Sequence, residues 1–105
     1  MFKAVILLTR REDMTHDAFV HWWLNDHAPL ASTLPGLRRL TFNVVDVGGE
    51  EAGIDGISEL WFDSQDDFTA AYAGEVGVAT AADSMAHVRG RVRLFVTDHV
   101  LVPRP

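Results

Sequence analysis

Residues 15–36 read THDAFVHWWLNDHAPLASTLPG, and the reading of this stretch decides the fold. Thr15 is an N-cap, since its hydroxyl can accept from the free N–H groups of the turn that follows. Asp17 suits the positive end of that helix. Phe19, Trp22, Trp23, His27, Leu30 and Leu34 then recur at helical spacings, with His27 at the edge of the stripe. Pro29 interrupts the pattern. It has no N–H for the Asn25 carbonyl, its ring crowds that oxygen, and it drives Ala28 from helical angles. A break or kink is expected at His27–Pro29, with a short turn to Leu34 and a stop at Pro35-Gly36.

Working outward, residues 2–9 form a short apolar run ending in a charged turn, which reads as a strand. Residues 37–47 alternate, with Leu40, Phe42 and Val44 opposite Arg39, Thr41 and Asn43. Gly48 to Gly56 reads as a flexible acidic loop, and Ile57 to Phe62 as a third strand. Ser64 caps a second helix bearing Phe68, Ala71 and Tyr72. Gly74 and Gly77 are expected to break it, with a further helical piece over 79–87. Residues 91–102 give a last strand, with Val92, Leu94 and Val96 opposite Arg93, Phe95 and Thr97. Thr15-x-Asp-x-Phe19 after the first strand is echoed by Ser64-x-Asp-x-Phe68 after the third. Two β-α-β halves follow, hence a single α+β domain over residues 1–105, with the β-α-β-β-α-β order of a ferredoxin-like fold and a four-stranded antiparallel sheet.

The strand faces carry a further implication. Ala4, Ile6, Leu8, Leu40, Phe42, Leu60, Phe62, Leu94 and Val96 can lie under two helices. The opposite face is left with Val5, Leu7, Trp61 and Phe95 among Arg39, Thr41, Asn43, Glu59, Arg93 and Thr97. Such a face should not lie open to water, and a second copy of the sheet could cover it and enclose a small-molecule pocket. A homodimer is therefore expected.

Composition removes several classes. The chain has no cysteine, which excludes disulfides, thiolate metal sites and cysteine nucleophiles, and fits a cytoplasmic protein. Its formal net charge of −6 argues against nucleic acid as a partner. No apolar run approaches the roughly 20 residues of a membrane helix. No metal is expected, because no paired i,i+4 histidines occur, and neither a phosphate-binding glycine loop nor a nucleophile elbow is present.

His27 is the first catalytic candidate, because an imidazole titrating near neutrality can take or give a proton. It could equally end the broken helix by donating to a free carbonyl. Glu59 is the second. Facing an enclosed apolar cavity, its pKa would rise and suit a base, while a charge pair with Arg39 or Arg93 is the alternative. Trp23, Asn43, Trp61, Arg39 and Phe95 are candidates for contact with a substrate. Trp23 also suits the core, and Trp61 could stack on a flat ligand or simply pack. His16 and His21 read as surface residues, and Asp83 as a cap or pairing group of the second helical region.

Phe19-x-x-x-Trp23-x-x-x-His27-Ala28-Pro29-Leu30, then Leu34-Pro35-Gly36-Leu37, Glu59-Leu60-Trp61-Phe62 and Ala81-Ala82-Asp83, form a pattern that resembles the EthD family from about residue 2 to 102. The resemblance implies a dimeric α+β barrel. Similar barrels serve lactone isomerases, aromatic polyketide cyclases, cofactor-free monooxygenases and haem-degrading enzymes. The helix histidine of such a lactone isomerase corresponds to His27, while its tyrosine falls on Leu40 and its cysteine on Leu60. The expectation is a cofactor-free enzyme that moves a proton on a small carbonyl-rich or aromatic molecule, by cyclisation, isomerisation or dehydration. An oxidative role and a non-catalytic ligand-binding dimer are the alternatives.

Overall fold

In the computed structural model, which describes residues 1–105, four strands form one antiparallel sheet of order β2-β3-β1-β4. These are β1 (Phe2–Arg10), β2 (Arg39–Val44), β3 (Gly56–Phe62) and β4 (Val88–Val96). The crossovers carry α1 (His16–Trp22) running through a π-helical turn (Trp23–His27) into α2 (Ala28–Ala31), and then α4 (Gln65–Ala73) and α5 (Glu75–His87). A one-turn helix, α3 (Gly49–Ala52), stands in the acidic loop between Gly48 and Gly53, both left-handed. The ferredoxin-like order read from the sequence is the one observed, and no helix is long and apolar enough to cross a membrane.

The helices cover one face of the sheet. Ala4, Ile6 and Leu8 of β1 and Leu60 and Phe62 of β3 pack there against Phe19, Trp22, Trp23 and Phe68. Each large apolar side chain so buried contributes about 1.5–3 kcal/mol. Both expected caps are made: Thr15 Oγ1 accepts from the Ala18 N–H at 3.0 Å, and Ser64 Oγ from the Asp67 N–H at 3.1 Å.

Four expectations are corrected. Pro29 does not break the helix, and Ala28 keeps helical angles (φ −58°, ψ −43°). The discontinuity lies one turn earlier, where the Ala28 N–H reaches back five residues to the Trp23 carbonyl. A widened π turn makes room for a ring that would crowd an α-helical carbonyl ladder. Gly77 does not end a helix either. It lies within α5, and a Cβ there would stand 2.2 Å from the Ala71 carbonyl oxygen, so glycine allows α4 and α5 to meet. The last strand ends at Val96, leaving Thr97 outside it.

The fourth correction concerns which way β4 faces. Ala4 pairs with Phe95, Ile6 with Arg93 and Leu8 with Arg91, so Phe95, Arg93 and Arg91 face the helices. Val5 pairs with Leu94, Leu7 with Val92 and Lys3 with Val96, which puts the aliphatic set on the open face. The physical cause is a bulge. Thr9 pairs with Gly90 but Arg10 with Val88, leaving one extra residue in β4. That residue inverts the alternation, so Val88 is buried while Val92 and Leu94 are half exposed.

Candidate functional site

Between the helix layer and the sheet lies a cavity of about 20 Å³, room for one water molecule. His27, Trp23, Phe42, Tyr72, Ser84 and Arg91 are among the residues that line it. The π turn ends at His27 and α5 stands opposite it, carrying Asp83 and Ser84 side by side and His87 one turn on. His27 is only 5% exposed. Its Nδ1 lies 2.8 Å from Asp83 Oδ2, and its Nε2 lies 3.3 Å from Ser84 Oγ.

Asp83 is itself held. The Trp22 indole N–H donates to both of its carboxylate oxygens, at 3.3 and 3.2 Å. His87 stacks on the Trp22 ring at 4.2 Å, and its Nδ1 lies 2.8 Å from the Asp83 carbonyl oxygen. A carboxylate only accepts, so a neutral His27 carries its proton on Nδ1 and its lone pair on Nε2. Burial pushes the His27 pKa down, and the hydrogen bond and charge of Asp83 oppose this only in part. The ring is therefore neutral at pH 7, oriented at one nitrogen and basic at the other.

Ser84, His27 and Asp83 have the order of a hydrolytic triad. Ser84, however, stands within α5, where backbone N–H groups serve the helix ladder and cannot form an oxyanion hole. The arrangement suits proton transfer at Nε2 rather than acyl transfer at Ser84.

The sequence-predicted residues divide between two faces. His27 and Trp23 reach the cavity. Trp23 is fully buried, stacks on Phe42 at 4.2 Å and leaves its indole N–H without a partner. Phe95 also faces inward, but it packs in a separate aromatic cluster with Phe2 (4.9 Å) and Phe68 (5.4 Å).

Glu59, Asn43, Arg39 and Trp61 lie on the open face. The register sets Arg39, Trp61 and Lys3 in one cross-strand row and Thr41, Glu59 and Val5 in the next. One chain therefore does not bring Glu59 and His27 into a common cavity. Lys3 Nζ lies 2.5 Å from Glu59 Oε2, and Asn43 donates to Glu59 Oε1 at 3.0 Å. The Lys3 hydrogen bond holds the Glu59 pKa below the ordinary carboxylate value, despite an opposing effect of burial. That is the reverse of the rise expected for a cavity acid, and the partner is Lys3 rather than Arg39 or Arg93. Lys3 and Arg39 both lie over the Trp61 ring, at 4.6 and 4.8 Å.

The pairing role read for Asp83 was sound, but its partner across 56 residues was not legible. Ser84, Tyr72 and Arg91 carried no motif. His16, taken for a surface residue, is held at 2.8 Å by the buried Asp55.

A buried histidine–aspartate pair thus lies between the two layers of a ferredoxin-like α+β domain. The EthD domain model matches residues 11–88, and the chain belongs to the EthD family. An EthD family protein from Bacillus halodurans C-125 is similar over 94% of this chain and 99% of its own, with 24% identity and a TM-score of 0.81. A dimeric ferredoxin-like protein of unknown function from Thermobifida fusca YX shares 20% identity over 90% of this chain and 88% of its own, with a TM-score of 0.73. SnoaB, a cofactor-independent oxygenase from Streptomyces nogalater, shares 16% identity over 98% of this chain and 97% of its own, with a TM-score of 0.73. No curated protein matches the chain.

Proposed function

We propose that this chain is a cofactor-free enzyme in which His27 Nε2 removes a proton from a small carbonyl-rich or aromatic substrate. One observation carries the reading: a buried imidazole, fixed at Nδ1 by Asp83 and with only Ser84 Oγ at 3.3 Å beside Nε2, lines a cavity. A base poised below neutrality is unprotonated at working pH and can return the proton to a neighbouring atom, which is isomerisation, cyclisation or dehydration according to the substrate. The Trp23 indole N–H, buried without a partner, would donate to a carbonyl or enolate oxygen that reached it.

In this reading the open face is the seam of a homodimer. Val5, Leu7, Ile57, Val92 and Leu94 form its apolar half, and Glu59, Asn43, Arg39 and Trp61 its polar half. Dimeric relatives of the same fold support it. Glu59 then acts at the seam with Lys3 and not on the substrate.

The oxidative alternative draws on the likeness to a cofactor-independent oxygenase. There the same deprotonation would open an electron-rich ring to dioxygen. A mass-spectrometric turnover screen over lactones and aromatic polyketides, with wild type and His27→Gln side by side, tests the proposal, and oxygen consumption separates the two chemistries. Products lost with His27 are expected. Equal product from both proteins would overturn the reading.

A further inference from the structure

Strand β4 presents Arg91 and Arg93 to the helix side, two residues apart and so on one face about 7 Å from each other. Arg91 lines the inner cavity. Together with Arg93 and Met85 it also lines a shallow outer depression of about 470 Å³. Arg91 thus stands between the two depressions and lines both.

Neither guanidinium has a counter-charge. Arg10, Arg11, Arg38 and Arg89 each stand within 4.0 Å of a carboxylate, whereas Arg91 and Arg93, like Arg39 on the open face and Arg104 in the tail, do not. Arg93 rests over the Phe68 and Phe95 rings at 5.4 and 5.3 Å, so its position is set by packing and not by an anion. Arg91 is partly buried and unpaired, which leaves its guanidinium donors for a bound anion. The Tyr72 phenol, which lines the cavity beside Arg91, lies in the field of both arginines.

We propose that Arg91, supported by Arg93, is an anion-recognising subsite at the cavity mouth, so that the ligand is a planar organic carboxylate or enolate rather than a neutral molecule. A guanidinium fork matches a carboxylate with two parallel hydrogen bonds, and a lysine would not. The water-sized inner cavity admits only the reacting end. The ring of the ligand then lies in the outer depression, with its charge left on β4. Where the reacting end sits rests on the proton-transfer reading; the anion subsite itself is tested by binding alone.

The test compares 2-naphthoate with its neutral analogue 2-naphthamide, followed by tryptophan fluorescence and by amide chemical shifts of the intact chain. Wild type should bind naphthoate about tenfold more tightly than naphthamide, the preference given by one charge-assisted pair. Arg91→Gln should remove that preference and leave naphthamide binding unchanged. Arg91→Lys, which keeps the charge and guards against a folding artefact, should retain part of it. His27→Gln should leave the preference intact, which separates this subsite from the proton-transfer role. Equal affinity for the two probes, an unaltered preference in Arg91→Gln, or no saturable naphthoate binding up to about 10 mM would overturn the assignment.

Discussion

The molecule holds two histidine–aspartate pairs of the same length, and they are built in opposite ways. His27 and Asp83 meet at 2.8 Å with the imidazole buried and the carboxylate partly exposed. His16 and Asp55 also meet at 2.8 Å, but there the carboxylate is the buried member and the imidazole is one-third exposed. Burial alone would raise the Asp55 pKa. The Arg10 N–H at 2.8 Å, His16, and the Arg10 guanidinium at 2.7 Å outweigh it and hold the pKa below its ordinary value. Asp55 thus keeps its charge and ties β1, α1 and β3 together. His27 loses its charge and keeps its Nε2 lone pair, with Ser84 Oγ beside it at 3.3 Å. Whichever partner is desolvated decides whether such a pair becomes a staple or a base.

The largest expected effect is on turnover. His27→Gln should cost about 10²–10⁴-fold in rate, whereas Asp55→Ala should leave the rate per folded molecule unchanged; steady-state assays of both variants check this. The next is on stability, with the roles exchanged. Asp55→Ala strands Arg10 and His16 without their shared acceptor and should cost about 3 kcal/mol in urea unfolding, more than His27→Gln does.

Asp83→Asn is a smaller change. The amide keeps contact with the ring but removes the charge that opposes desolvation, so the His27 pKa should fall further, with a rate loss of about 10–100-fold. A pH–rate profile of this variant against wild type reads both.

The pH dependence of stability should show two separate windows. His27 has a depressed folded pKa, so the unfolded chain gains a proton below about pH 6.5 that the folded chain refuses, and stability falls there as pH falls. Asp55 also has a depressed folded pKa. Its contribution is present above about pH 3.9 and lost as pH falls through the folded value. Unfolding at a series of pH values should lose the first window in His27→Gln and the second in Asp55→Ala. Smallest of all, Glu59→Gln should change turnover by less than about twofold, because Glu59 lies on the face of the sheet away from His27.

The fold was legible because the caps at Thr15 and Ser64, the apolar run of β1 and the alternation in β2 and β3 are local signals. The inverted face of β4 was not, since a single bulge at the Arg10–Val88 pairing decides it and nothing in residues 91–96 records the bulge. The π turn was half legible. Pro29 announced a disturbance, but its position depends on which carbonyl the packed helix can displace. In the site, His27 stood out by its place beside the proline. Its partners Asp83 and Ser84 lie in another helix, and Arg91 waited on the register of the last strand. Glu59 was placed on the polar side of a central strand correctly. What was missing was that His27 turns into the layer between helices and sheet and not toward that side, which parts it from Glu59.

The most direct test of the central claim is the protonation state of His27, read from its imidazole ¹⁵N and ¹H resonances across pH. The account predicts a neutral ring at pH 7, with the proton on Nδ1, the lone pair on Nε2 and titration below about 6.5. An imidazolium at pH 7, or a proton on Nε2, would contradict it.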